Sequence, residues 1–224
     1  MTLLEVHPLQ PEQLEDYIRL YWTAFEPLEA DMVAPMIYPN GLQSDLMNRL
    51  KQRILRETEG KLSNSCFYVR DGQNGQMIAI SRWAMIDRPA STRQEVDAAW
   101  QRAQAAREAE LPVVGTNTVM DEAFRRAAMY AEFNTIRDRP YMSLRLLAVH
   151  PRHHRKGAGS LLLRHGLARA DELKLPVYLD SSVSGKALYA KYGFDVIGEF
   201  PFDGRQYGGR SEGKHWDMLR PARS

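Results

Sequence analysis

The residues most able to do chemistry lie in one stretch, LRLLAVHPRHHRKGAGS at residues 144–160. An apolar segment ends at Val149, and residues 152–156 are all basic. Gly157 and Gly159 follow at the start of a helical pattern. A glycine-rich turn at a helix N-terminus offers unpaired N–H groups and the positive end of the helix dipole to an anion. The stretch therefore predicts a pyrophosphate site with basic side chains for a further phosphate.

Other interpretations of this turn are weaker. A solvated loop between a strand and a helix would explain the charges alone. A dinucleotide-binding turn fits less well, because Leu162 replaces its third glycine. In its favour, Asp180 lies where a ribose-binding acid is expected. A P-loop at residues 208–215 fails because His215 replaces the required Ser or Thr. A nucleic-acid patch would carry aromatic residues among the basic ones, and residues 152–156 have none.

A second motif lies further along the chain. Residues 154–159 read H-R-K-G-A-G, and residues 188–194 read L-Y-A-K-Y-G-F. The order strand, glycine turn, helix, strand, short helix, strand resembles the GCN5-related N-acetyltransferase (GNAT) family. Its turn carries Q/R-x-x-G-x-G/A, and its short helix carries L-Y-x-K-x-G-F. The basic turn and the serine pair at 181–182 are also similar to fungal members that act on small molecules.

The resemblance implies one acetyltransferase domain over residues 1–224, with an α/β GNAT fold. This fold has a central mixed, mostly antiparallel, sheet of about seven strands with splayed fourth and fifth strands, flanked by helices. Residues 141–200 would form the acetyl-CoA-binding core. Residues 91–139 depart from the compact family plan and are expected to form a helical insertion between the third and fourth strands, begun by a capping box of Ser91 with Gln94 or of Thr92 with Glu95. We expect the insertion to contribute to the acceptor pocket, with a structural appendage or a dimer surface as alternatives.

The resemblance also implies a cofactor site. The pyrophosphate of the cosubstrate acetyl-CoA would lie on the N–H groups of the turn, and its pantetheine arm would run beside the preceding strand. The implied residues are Leu147, Ala148, Val149, His154, Arg155, Lys156, Gly157, Ala158, Gly159, Ser160 and Ser182. His154 departs from the usual Gln or Arg. A backbone N–H near Ala148 or Val149 could serve as oxyanion donor.

Tyr189 occupies the tyrosine position of the second motif, and we expect it to be the general acid. A phenol has an ordinary pKa of about 10, so it is protonated at neutral pH and can donate. The alternative is an aromatic side chain packed between helix and sheet. Ser184 is expected to cap the short helix that carries Tyr189.

The general base is not evident from the sequence. Some family members place a glutamate on the fourth strand, where this chain has Ser143, which could hold only a relay water. Asp180, His215, Glu26 and Asp31 are alternatives, each also compatible with a structural role. An acceptor amine of low pKa would need no strong base.

The loop at residues 27–39 is expected to help form the acceptor site. It combines apolar residues with acids, which suits a small amine with a hydrophobic or aromatic body, although ordinary loop packing fits equally. The residues concerned are Glu26, Leu28, Glu29, Asp31, Met32, Val33, Met36, Ile37 and Tyr38.

Composition restricts the other function classes. The net charge is +2, which predicts no general affinity for nucleic acid or membranes. The lone Cys66 and the lack of a targeting pattern favour a cytoplasmic protein. No metal is expected, because His150, His153 and His154 lack a partner at ligand spacing. A Ser-His-Asp hydrolase is unsupported without a G-x-S-x-G motif.

The sequence thus predicts an acetyl-CoA-dependent N-acetyltransferase, an acyltransferase that moves an acetyl group to the amine of a small molecule. A protein amine is a subordinate option, and a homodimer is left open. The alternative is a non-catalytic acyl-CoA-binding or regulatory module, which the absent strand glutamate would favour.

Overall fold

The computed structural model describes residues 4–25, 33–110 and 112–223. Glu26, Leu28, Glu29, Asp31 and Met32, discussed above, lie outside the described residues. The described strands are β1 (Val6–Pro8), β2 (Cys66–Arg70), β3 (Met77–Ile86), β4 (Tyr141–Val149), β5 (Val177–Ser182), β6 (Asp195–Glu199) and β7 (His215–Arg220). They form one seven-stranded sheet in the order β1-β2-β3-β4-β5-β7-β6. This confirms the predicted mixed, mostly antiparallel sheet, in which β4 and β5 form the parallel pair.

Eight α-helices surround this sheet in the described part of the chain. They are α1 (Leu14–Phe25), α2 (Ala34–Ile37), α3 (Ser44–Glu57), α4 (Leu62–Ser65), α5 (Arg93–Glu108), α6 (Thr118–Thr135), α7 (Ala158–Glu172) and α8 (Lys186–Ala190). Within the described ranges, none of these helices is both long and apolar enough to span a membrane.

Two apolar layers cover the faces of the sheet. On one face, α1 buries Tyr17 and Ile18 beside Leu46 and Leu50 of α3. On the other, the apolar stripe of α7 packs its leucines on β3 and β4. Gly166 allows this close packing, because a Cβ there would lie 2.1 Å from the Trp83 ring. Each buried aliphatic side chain contributes about 1.5–3 kcal/mol to these layers.

The insertion between β3 and β4 folds as the helix pair α5 and α6. The side chain of Thr92 accepts a hydrogen bond from the Glu95 N–H, and Glu95 caps Thr92 in return, as the capping-box pattern predicts. Helix α6 begins at Asn117, whose side chain accepts from the Met120 N–H. Helix α6 contacts β7 and α2, so the insertion packs against the sheet.

The parallel pair β4 and β5 separates soon after it begins. Met142 pairs with Val177 and Ser143 with Tyr178, and no later pair joins these strands. The predicted splay is thus confirmed, and it opens the sheet from Leu144 onward.

Two local predictions differ from the structure. The apolar residues at 3–6 predict a first strand there, but the strand spans Val6–Pro8, where its backbone pairs with β2; Leu3 lies outside the described residues. Gly185, and not Ser184, is the N-cap of α8, and no side chain caps this helix. The Ser184 hydroxyl instead lies 3.1 Å from the Ser182 hydroxyl.

Candidate active site

The glycine turn between β4 and α7 presents a row of free backbone donors. Arg155 and Gly157 both have positive φ, +60° and +91°, and this folds the chain sharply into the helix. The first helical hydrogen bond runs from the Leu161 N–H to the Gly157 carbonyl. Across the described residues, the N–H groups of 155–160 donate no hydrogen bond. Such a row at a helix N-terminus fits an anion.

His154 supports the turn from its side chain. Its Nε2 lies 3.0 Å from the Val149 carbonyl oxygen, which joins the turn to the end of β4. The side chains of Arg155 and Lys156 are exposed beside it. Gly159 is buried, and a Cβ there would lie 3.1 Å from Cγ2 of Val149. The turn therefore depends on small residues next to the helix start.

The edge of β4 is open beyond the splay. The His150 N–H donates to the Ile78 carbonyl in β3, and backbone groups in an antiparallel ladder alternate in direction. Ala148 therefore also faces β3, whereas Leu147 presents its N–H and C=O groups toward the gap and Val149 presents its N–H, since the Val149 carbonyl is in contact with His154. Of the three β4 residues predicted to contact an amide-bearing arm, these two have backbone groups free to do so.

A cavity of about 620 Å³ opens at the splay. Its walls come from α1, α2, α3, α6, β3, β4, β5, α8 and β7. The lining residues include Tyr21, Phe25, Arg53, Glu57, Arg82, Phe124, Arg125, Leu144, Leu147, Asp180, Ser182, Tyr189 and His215. The gap between β4 and β5 thus continues into a chamber that has both apolar and charged walls.

Tyr189 lines this cavity, as the predicted general acid would have to. Its ring packs on Gly185 and contacts Phe194 edge-on at 5.9 Å, so it also has the packing role that was weighed as the alternative. Burial, followed by the negative charge of Asp180, raises the pKa of Tyr189 well above its ordinary value. The hydroxyl has no hydrogen-bond partner within the described ranges. It is therefore protonated and free to donate.

Asp180 and His215 form a hydrogen-bonded pair in the same cavity. His215 is opposite Ser182 in the β5–β7 ladder, so Asp180 is its diagonal neighbour on the same face. His215 Nδ1 lies 3.0 Å from Oδ2 of Asp180. Burial acts to raise the pKa of Asp180, but the hydrogen bond and charge of His215, together with Arg145, lower it below its ordinary value. Asp180 is therefore an ionised acceptor, and Nδ1–H of His215 is the donor.

The imidazole of His215 is held among aromatic rings. Phe124 of the insertion and Phe200 lie 5.6 Å and 5.8 Å from it, centroid to centroid. Its Nε2 is buried without a hydrogen-bond partner in the described chain. This ring is fixed by packing and serves to orient the Asp180 carboxylate.

The structure separates the residues named from the sequence into two groups. Tyr189, Ser182, Leu147, Asp180 and His215 share the cavity, and the turn residues 154–160 lie at the end of β4 beyond it. Ser143 is buried where β4 and β5 still pair and does not line the cavity. No group of three His, Cys, Asp or Glu side chains in the described part of the chain could hold a metal.

Four cavity arginines were missed by sequence analysis: Arg53, Arg82, Arg125 and Arg145. They come from α3, β3, α6 and β4, and each lies in an ordinary amphipathic or alternating pattern. No local signal distinguishes them from surface arginines. Arg145 binds Glu132 at 2.7 Å, and the other three interact with Glu57 and Asp121.

Known proteins share this architecture. Residues 113–196 match the family model described as the acetyltransferase (GNAT) domain. No curated protein sequence matches the chain. Among solved structures, a mosquito arylalkylamine N-acetyltransferase-like protein is 14% identical with a TM-score of 0.66, and the match covers 98% of this chain and 100% of that one.

Two further structures agree over nearly their full lengths. A Corynebacterium glutamicum protein described as histone acetyltransferase HPA2 and related acetyltransferase is 19% identical, with a TM-score of 0.59 and coverage of 100% and 98%. A Drosophila melanogaster polyamine N-acetyltransferase is 15% identical, with a TM-score of 0.57 and coverage of 97% of each chain. Residues 113–196 thus match the acetyltransferase (GNAT) domain, and the sheet that splays between β4 and β5 has the fold of these acetyltransferase structures.

Proposed function

We propose that this chain is an acetyl-CoA-dependent N-acetyltransferase that acetylates the amine of a small molecule, within one domain spanning residues 1–224. The observation that carries the proposal is the cavity at the splay. It adjoins the open edge of β4 and contains both an ionised carboxylate and a protonated phenol. The mosquito and Drosophila proteins, described as arylalkylamine and polyamine acetyltransferases, favour a small amine as acceptor.

The turn at 155–160 would hold the cosubstrate by its pyrophosphate. Six free N–H groups at a helix N-terminus match the charge and size of such a group. Arg155 and Lys156 would add charge for a further phosphate. Leu147 and Val149 would bind the pantetheine amides along the β4 edge, as an added strand does. Ser182 stands on the opposite wall.

Asp180 is the group best suited to receive the acceptor amine. An ionised carboxylate in a cavity attracts an ammonium group and can take its proton before attack. His215 is a positioning residue, because its Nδ1–H holds one oxygen of the Asp180 carboxylate, which lines the cavity. This pair would supply the base that Ser143 cannot.

Acetyl-CoA supplies the thioester carbonyl that the neutral amine attacks. The Val149 N–H, free on the open edge of β4, would donate to the carbonyl oxygen as negative charge develops. Tyr189 would protonate the departing sulfur, and its phenolate, strongly basic because burial raises the pKa of Tyr189, would recover the proton that the nitrogen loses as the amide forms. Asp180 and Tyr189 thus work as base and acid from two walls of one cavity.

Release of free CoA from acetyl-CoA, measured over a panel of small amines, tests this proposal. Binding of acetyl-CoA is measured alongside by calorimetry. We expect turnover with at least one class of amine and no turnover without an amine. Tight binding without turnover on any amine or peptide would instead identify a non-catalytic acyl-CoA-binding module. Absence of binding would contradict the role given to the turn.

A further inference from the structure

One part of the cavity wall carries more arginines than carboxylates. Glu57 pairs with Arg82 and lies 3.9 Å from Arg53. Asp121 pairs with Arg107 and lies 3.4 Å from Arg125. Each carboxylate therefore balances the charge of two arginines. Of these four arginines, Arg53, Arg82 and Arg125 line the cavity.

Glu110, a third carboxylate nearby, does not balance this excess of arginines. Glu110 acts on Arg53 through its charge but is itself bound by Arg49 and Arg56. Three carboxylates thus face six arginines in this cluster. The whole chain has a net charge of only +2, so positive charge is concentrated beside the cavity.

The arginines also retain unused donors. The Nε–H groups of Arg53 and Arg125 are buried and make no hydrogen bond among the described residues, although carboxylate oxygens of Glu57 and Asp121 lie 3.9 Å and 3.4 Å from them. Arg125 is held in place by Gln104, which accepts from its Nη2 at 3.0 Å. Arg53 has Glu57 as its sole ion pair in the described chain, at 3.9 Å. Buried donors without partners are costly, which favours a ligand that completes them.

The electrostatics differ between the two arginines. Burial acts to lower the pKa of Arg53, but the negative charge of Glu57 and, more weakly, of Glu110 raises it above its ordinary value. Burial, followed by the positive charge of Arg53, lowers the pKa of Arg125. Burial also lowers the pKa of Arg107 to about 10. An anion placed near Arg53 and Arg125 would relieve their repulsion, and guanidinium groups bind carboxylates and phosphates with good geometry.

We propose that the acceptor is an amine that also carries an anionic group, a carboxylate or a phosphate, which binds Arg53 and Arg125 while the amine faces Asp180. This inference rests on the proposed function and specifies its substrate class. The aromatic and aliphatic walls between these groups, from Tyr21, Phe124 and Leu144, would enclose an apolar body. The acceptor would therefore resemble an amino acid more than a simple arylalkylamine or polyamine.

Pairs of acceptors that differ only in charge test this inference. We would compare ω-amino carboxylates of several lengths with their amides, L-phenylalanine with L-phenylalaninamide, and aminoalkyl phosphates with the corresponding alcohols. We expect kcat/KM for the preferred anionic member to exceed that of its neutral partner by about tenfold or more, the usual effect of a charged hydrogen bond. Comparing the carboxylate pairs with the phosphate pairs shows which of the two anionic groups the enzyme prefers.

Arg53→Gln tests which residue provides the preference. We expect the ratio of anionic to neutral acceptor to fall toward one in this variant. Lys51→Gln is the matched control, because it removes one positive charge from the same helix but lies outside the arginine cluster and does not line the cavity. The control should keep the ratio, and circular dichroism with acetyl-CoA binding would confirm that both variants fold.

The outcomes separate this inference from the proposed function. Turnover of neutral amines equal to or above that of their anionic partners would overturn the inference and leave the acetyltransferase intact. If no amine turns over, calorimetry with the same pairs still decides the inference. Binding of the anionic member that Arg53→Gln abolishes would support it, and equal binding of both members would overturn it.

Discussion

The glycine turn and the cavity at the splay between β4 and β5 are built in different ways. The turn is one continuous segment, residues 155–160, and its donors are backbone N–H groups that depend on local φ angles. The cavity is assembled from side chains on nine helices and strands, including α2, and its chemistry depends on which groups those side chains carry. The turn should therefore tolerate side-chain changes that keep its backbone, whereas the cavity should tolerate almost none.

The largest effect is expected from removing the cavity carboxylate. Asp180→Asn keeps the shape but loses the charge that attracts the ammonium and takes its proton, so we expect kcat/KM to fall by about a thousandfold. Steady-state release of CoA measures this, with acetyl-CoA affinity unchanged.

Asp217→Asn is the control for that variant. Asp217 pairs with Asp180 in the β5–β7 ladder but is bonded by the Tyr178 hydroxyl at 2.6 Å and does not line the cavity. Burial raises the pKa of Asp217, so a neutral amide suits its site and activity should stay within about threefold. Equal losses in both variants would mean that Asp180 has a structural role.

A smaller loss is expected when the cavity loses its acid. Tyr189→Phe removes the phenol proton but keeps the ring that packs on Phe194, so we expect kcat to fall by about a hundredfold. Acetyl-CoA affinity should not change, because the turn lies elsewhere. An unchanged kcat would reassign Tyr189 to packing alone.

A backbone change in the turn should weaken acetyl-CoA binding by about tenfold. Gly157 has φ of +91°, and a Cβ there would meet nothing within 4 Å, so Gly157→Ala adds strain without a clash. A left-handed conformation costs an L-residue about 1–2 kcal/mol, and relief of that strain would turn the N–H groups away from the anion. We expect the acetyl-CoA Kd to rise about tenfold by calorimetry.

The smallest effect is expected from His154→Gln, because the side chain supports the turn but its backbone supplies the donors. An amide can replace the contact between Nε2 and the Val149 carbonyl. The Kd should stay within about twofold. A tenfold rise in the acetyl-CoA Kd would show that the turn depends on this side chain as the cavity depends on Asp180.

The same difference explains what the sequence could predict. The turn and the insertion were predictable because each depends on neighbouring residues, such as the glycines before α7 or the Thr92 capping box, whereas the splay was expected only from the resemblance to the GNAT family. The direction of the Ala148 backbone N–H and C=O groups was not predictable, because the alternation along β4 is fixed by its pairing with β3. A sequence can suggest that a strand has an open edge but not which residues use it.

The cavity chemistry was beyond local reasoning for a similar reason. Asp180 and His215 were both named as possible bases, yet their pairing requires β7 to insert between β5 and β6. The arginines of the anionic-group site come from α3 and α6, which are separated in the chain and meet only in the folded wall. The excess of arginines over carboxylates becomes visible when the ion pairs are known.

The most direct test of the account is to measure both acetyl-CoA Kd and kcat for Tyr189→Phe and Gly157→Ala side by side. We predict that Tyr189→Phe loses kcat with an unchanged Kd, and that Gly157→Ala weakens Kd and keeps kcat at saturating acetyl-CoA. If both variants change the same constant, the separation between a backbone-built cofactor turn and a side-chain-built catalytic cavity is wrong.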